Sequence, residues 1–128
     1  PETEVVLPRI VSDLFDLFDG VANQTLHEKS FSVTKQTATT VMLVSGGYPE
    51  AYQKNKEISG LENVVNSTVF HAGTTLDNNR VVTSGGRVMA ITSFGDSIQE
   101  ALDKSYDSIE KISFDDMNYR KDIGFDLI

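Results

Sequence analysis

Arg80-Val81-Val82-Thr83-Ser84-Gly85-Gly86-Arg87-Val88-Met89-Ala90-Ile91-Thr92 is the stretch on which the fold turns. Both arms are rich in β-branched residues and read as strands. Ser84-Gly85-Gly86 between them reads as the loop of a tight hairpin, because adjacent glycines supply the backbone freedom of a two-residue turn. Upstream, Thr68-Val69-Phe70-His71-Ala72-Gly73-Thr74 alternates as a strand, with one of Phe70 and His71 facing the core. Asp77-Asn78-Asn79 marks a turn. Val41-Met42-Leu43-Val44 is a short, buried-looking strand that runs into Ser45-Gly46-Gly47. Downstream the period changes. Ile98, Ala101, Leu102, Ile109 and Ile112 form one helical stripe, with Asp96 or Ser97 as cap and Gln99 or Glu100 closing a capping box. Several strands followed by a helix predict an α+β fold, a mainly antiparallel sheet with flanking helices.

The N-terminal segment reads differently. Val6, Ile10, Leu14, Leu17 and Phe18 recur at helical spacing, so residues 1–20 read as helical. Pro8 fits only a first turn, which puts the regular part from about Leu7, and Gly20 is a natural stop. The face is rich in Leu and Phe and needs a partner. Residues 21–39 are polar, with a short strand expected near Phe31–Val33 and a boundary between two structural units. The chain opens Pro1-Glu2-Thr3-Glu4 without methionine or a signal-like segment, and reads as a piece of a longer protein.

Composition excludes several classes. The 128 residues carry 19 acids against 11 bases, a net charge of −8. Such a chain repels nucleic-acid backbone and anionic lipid, so neither is an expected partner. The longest apolar runs are a few residues, far short of the roughly 20 a membrane-spanning helix needs. There is no cysteine, which removes disulfides, thiolate zinc and thiol catalysis, and fits a cytoplasmic location. His27 and His71 have no metal-ligand spacing. No nucleophile elbow, phosphate loop or acid–base pair stands out, so no catalytic and no metal-binding residue is expected here.

Two glycine pairs remain. Ser45-Gly46-Gly47-Tyr48-Pro49 follows one strand, and Ser84-Gly85-Gly86-Arg87 lies between two others. Each is open to two readings: a turn that demands glycine, or backbone N–H groups cradling an anion. Arg87 could add a bidentate contact. His71 is ordinarily a surface or hydrogen-bonded residue, and Arg120-Lys121 is ordinarily solvated or paired with Asp122.

Four strings occur in order: Ser45-Gly46-Gly47-Tyr48-Pro49, Phe70-His71-Ala72-Gly73-Thr74, Val82-Thr83-Ser84-Gly85-Gly86-Arg87-Val88 and Tyr119-Arg120-Lys121-Asp122-Ile123-Gly124. They closely resemble the GGYP, VFHAGT, VTNGGRV and RKDIG pattern of the C-terminal region of the phosphoribosylamine–glycine ligase (glycinamide ribonucleotide synthetase) family. Ile58-Ser59-Gly60-Leu61 matches its I-x-G-L segment, and Pro1-Glu2-Thr3 the end of its R-x-G-D-P-E-T-Q stretch. Glu4 departs from the family's Gln and Ser84 from its Asn, which puts any side-chain amide contact there in doubt. The resemblance covers essentially the whole chain.

That resemblance implies an ATP-grasp ligase of purine biosynthesis. It joins glycine to 5-phosphoribosylamine through a glycyl phosphate, giving glycinamide ribonucleotide, ADP and phosphate. ATP with Mg2+ or Mn2+ would serve the parent enzyme. The family's metal-binding E-x-N lies upstream of Pro1, so this chain alone is expected to bind no cofactor and to be inactive. Its partners would be the missing N-terminal and ATP-grasp domains of the same polypeptide. Residues 1–27 would be the truncated terminal helix of the ATP-grasp domain. Residues 28–128 would be the C-terminal domain, like a rudiment single hybrid. The implied substrate-binding set is Glu2, then Gly46, Gly47, Tyr48 and Pro49, then His71, Gly73 and Thr74, and finally Gly85, Gly86 and Arg87. The alternatives are the equivalent domain of another ATP-grasp carboxylate–amine ligase, or a non-enzymatic small-ligand module. The unpartnered apolar helix argues against the second.

Overall fold

The computed structural model describes residues 1–127. The chain runs through helices α1 (Glu2–Val6) and α2 (Leu14–Ala22), then strands β1 (Thr37–Ser45), β2 (Thr68–His71), β3 (Thr74–Asp77), β4 (Arg80–Thr83) and β5 (Arg87–Gly95), then helix α3 (Ile98–Ile109) and the short strand β6 (Met117–Asn118). One antiparallel sheet has the order β2-β5-β1-β6, and β3 pairs with β4 in a separate ribbon. The fold is α+β, as the sequence predicts.

The core lies between the main sheet and α3. Val41 pairs with Ile91 and Leu43 with Met89, and all four are fully buried. Ile109, Ile112 and Phe114 close over them. Each such side chain stabilises the fold by roughly 1.5–3 kcal/mol relative to exposure. From Val88 to Ser93 β5 is buried at every residue, because it is central and α1 crosses its second face. There, Thr92 Oγ1 donates to the Glu4 carbonyl at 2.8 Å. Helix α3 starts as expected. Ser97 Oγ accepts from the Glu100 amide at 3.1 Å, and Glu100 Oε2 accepts from the Asp96 amide at 2.8 Å. Its inner face also buries Ser105 and Ser108, whose hydroxyls bond to Ser93 at 2.9 Å and Ser67 at 2.7 Å.

Three expectations are corrected. First, Ser84-Gly85-Gly86 makes no hairpin: β4 pairs with β3, and these residues carry the chain from the ribbon to the main sheet. The ribbon's own loop is Asn78-Asn79, with φ of 48° and 63°, the left-handed pair a two-residue hairpin needs. Second, the run Thr68–Thr74 is split between β2 and β3. Val69 packs on the core, Phe70 lies beside α1, and His71 is exposed.

Third, residues 1–20 are not one helix. Pro8 sits in a 3-10 turn (Leu7–Arg9), where its missing N–H is tolerated. Ile10 then bridges Val33, which is all that forms of the Phe31–Val33 strand. Asp13 caps α2 by accepting from the Phe15 amide at 2.8 Å. Gly20 lies inside α2 and does not stop it. It is buried under Lys29, whose Cγ would lie 2.9 Å from a Cβ placed there. The helix ends at Asn23, whose side chain donates back to the Asp19 carbonyl at 3.1 Å.

Candidate functional site

Three loops that are distant in sequence meet at one end of the main sheet. The Ser45 amide donates to the Gly86 carbonyl at 2.8 Å, and Ser45 Oγ donates to the Gly85 carbonyl at 3.0 Å. The Gly73 amide donates to the Arg87 carbonyl at 2.8 Å. The Ser84 and Gly85 amides both donate to the Gly73 carbonyl, at 2.8 and 3.1 Å. The Gly73 and Gly85 amides are therefore taken up by contacts within the protein. The glycines also allow close approach. A Cβ on Gly73 would lie 2.7 Å from the Gly85 Cα, and one on Gly86 would collide with the Tyr48 ring. Gly47 has φ of 91° and lies against the Ala51 carbonyl. Gly46 lies against Asp116, and the Tyr48–Pro49 bond is cis.

This packing places Tyr48 and Arg87 on a groove of about 430 Å³. Its floor is the second face of β1, namely Thr40, Met42 and Val44, with Ile123. Its other wall is the tail, with Asn118, Tyr119 and Arg120, and Pro1 closes one end. Glu2 stands next to Pro1. Its carboxyl is held below the usual glutamate range chiefly by its own backbone N–H, with Arg87 adding a smaller attraction.

Arg120 donates from Nε and Nη2 to the two carboxylate oxygens of Asp122, both at 2.9 Å. The contact raises the arginine's pKa and lowers the aspartate's. Lys121 Nζ stands 5.9 Å from the centre of the Tyr119 ring. The groove is thus apolar at its base and carries two guanidinium groups, two phenols and an amide along its sides. That suits a small ligand with an anionic end.

The structure brings together Gly46, Gly47, Tyr48 and Pro49 with Gly73, Gly85, Gly86 and Arg87, and it sets Glu2 at the margin. It does not bring His71 and Thr74 into the groove. They contact each other, Nδ1 to Oγ1 at 2.9 Å. His71 opens instead on a separate hollow with Phe70, Leu7 and Pro8. Met42, Asn118 and Tyr119 were missed by sequence reasoning. The signal was present in Val41-Met42-Leu43-Val44, since an unbroken apolar run means both strand faces are covered. Among the described residues no three His, Asp or Glu side chains converge to hold a metal.

Residues 38–126 match the family described as phosphoribosylglycinamide synthetase, C domain. The chain is similar to the phosphoribosylamine–glycine ligase of Caldanaerobacter subterraneus, 42% identical over 124 residues, covering 97% of this chain and 30% of the relative. It is also similar to the bifunctional purine biosynthetic protein purD of Dictyostelium discoideum, 42% identical over 128 residues, covering 97% of this chain and 16% of that protein. The crystal structure of phosphoribosylamine–glycine ligase from Thermotoga maritima superposes with a TM-score of 0.73 and 31% identity, over 95% of this chain and 30% of that one. The chain thus spans less than a third of the length of these relatives.

Proposed function

The chain belongs to the phosphoribosylglycinamide synthetase C-domain family, and on that premise we propose that it is the C-terminal part of an ATP-dependent ligase joining glycine to 5-phosphoribosylamine. The products are glycinamide ribonucleotide, ADP and phosphate, and the route is a glycyl phosphate. A carboxylate does not react with an amine until one oxygen becomes a good leaving group; phosphorylation supplies that, and the attacking amine then releases phosphate and a proton. ATP and its divalent cation would be held by the rest of the polypeptide. Residues 1–27 are proposed as the end of the ATP-grasp lobe, and residues 28–128 as the domain that closes against it. Alone, the chain is inactive in this reading.

The observation that carries the reading is the convergence of three glycine loops behind Tyr48 and Arg87 on one groove. Arg87 is the group proposed to meet the phosphate of the sugar amine. Tyr48 and the margin at Glu2 order the ligand. His71 and Thr74 shape the neighbouring loop rather than touch it.

The test is ADP release by the full-length polypeptide with magnesium, ATP and glycine, with and without 5-phosphoribosylamine. Turnover that needs both co-substrates supports the reading. ADP release indifferent to phosphoribosylamine would leave a closing domain of another carboxylate–amine ligase.

A further inference from the structure

Arg120 reaches the groove already engaged. Its Nε and Nη2 donate to Asp122 Oδ1 and Oδ2, both at 2.9 Å, which uses one edge of the guanidinium. A guanidinium has five N–H groups in a planar fork, so the edge formed by Nη1 and the second N–H of Nη2 still has donors to offer. The backbone behind it is fixed as well. Tyr106 Oη donates to the Arg120 carbonyl at 3.1 Å, the Tyr106 and Tyr119 rings lie 6.2 Å apart, and Ile123 packs on the core. Both members of the ion pair are more than half exposed, so as a stability element it contributes little. Its geometric effect is larger. A flexible arginine on a groove wall becomes one with a set direction, and a direction set beforehand need not be ordered when a ligand binds.

We propose that Asp122 is a positioning residue for the anionic end of the groove: it holds Arg120 so that the outer guanidinium edge, together with Arg87, grips the phosphate of a phosphorylated sugar amine. This rests on the reading of the groove given above. Asp122 touches no substrate and acts only through Arg120. It also sets the local charge. Its carboxylate, with that of Glu2, opposes the two guanidinium charges of Arg87 and Arg120.

The experiment is steady-state kinetics on the full-length enzyme with phosphoribosylamine varied, for Asp122→Asn, Asp122→Glu, Arg120→Ala, Arg87→Ala and the Asp122→Asn/Arg120→Ala double variant. Asp122→Asn is expected to raise KM for phosphoribosylamine about tenfold, with kcat and KM for glycine and ATP unmoved, as loss of a preorganised charged contact would. Asp122→Glu should recover most of that loss. The double variant should be no worse than Arg120→Ala alone, since both act through one guanidinium. An unchanged or lowered KM in Asp122→Asn overturns the proposal, and so does full additivity in the double variant. If Arg87→Ala raises KM while Arg120→Ala and Asp122→Asn do not, the groove reading stands and only the role of Asp122 falls. If neither arginine matters, the groove reading itself falls.

Discussion

Gly73 and Gly85 meet backbone to backbone: a Cβ on Gly85 would lie 3.0 Å from the Gly73 Cα, and one on Gly73 only 2.5 Å from the Arg87 carbonyl oxygen. Backbone cannot swing aside as a side-chain end can. Gly73→Ala is therefore expected to destabilise the chain by about 1–3 kcal/mol, the usual cost of overpacking a closed site. Gly85→Ala should cost less, because its nearest contact, 3.0 Å to the Gly73 Cα, is tight but less so than the 2.5 Å met at Gly73. Denaturant midpoints of the two variants check this; a Gly73→Ala protein as stable as its parent would mean the loops are not clamped this way.

The same contact shows where a reading of the sequence runs out. Ser84-Gly85-Gly86 carries the composition of a hairpin loop, yet the partner that decides its path is Gly73, beyond the whole β3–β4 ribbon. Composition records that a backbone must come close; it does not name what it comes close to. Local signals did better where the determinant is local, as with the Ser97 cap and the Asn78-Asn79 turn. At the N-terminus, helical spacing outvoted Pro8, and one proline was enough to divide the segment. In the groove, Tyr48 and Arg87 were legible from family motifs, whereas Met42 and Asn118 enter only because β1 and β6 pair at Val44 and Asn118.

Arg87 stands in the groove beside Tyr48, and its charge is the feature proposed to meet the phosphate. Arg87→Ala in the full-length enzyme is expected to lower kcat/KM for phosphoribosylamine by roughly 10–100-fold, in line with about 1.5–3 kcal/mol for a hydrogen bond to a charged group. Arg87→Lys should restore only part of this, because an ammonium keeps the charge but not the planar fork. Kinetics with phosphoribosylamine varied decide it, and an unchanged kcat/KM removes Arg87 from the site.

Asp122 is held below 3.8, its ordinary value, chiefly by the hydrogen bonds from Arg120, with the arginine's charge assisting. A carboxyl with a depressed folded pKa contributes its stabilisation above the unfolded value and loses it as pH falls through the folded one. The ion pair should therefore be intact at neutral pH and come apart only in acid below about pH 4. Carboxyl chemical shifts followed by NMR should show Asp122 titrating below the ordinary aspartate range, and Arg120→Ala should return it to that range. Raising the salt should weaken the effect, since the pair is exposed. A midpoint that ignores the loss of Arg120 would show that the contact does not form in solution.

Helix α2 presents Phe15 and Phe18, which are 79% and 67% exposed, beside the exposed Val11 and Val21. A contiguous apolar face of this kind marks a surface that another element covers. In the reading proposed above, that element is the remainder of the ligase polypeptide. Phe15→Ser with Phe18→Ser should then change the stability of the 128-residue chain by no more than about 0.5 kcal/mol, as surface substitutions do. In the full-length protein the same pair should cost roughly 3 kcal/mol or more, because each buried phenyl is worth roughly 1.5–3 kcal/mol. Denaturation of both lengths, each with and without the substitutions, gives the comparison. Equal, small changes in both would mean that α2 keeps its apolar face in water and that the first 27 residues dock against nothing in the same polypeptide.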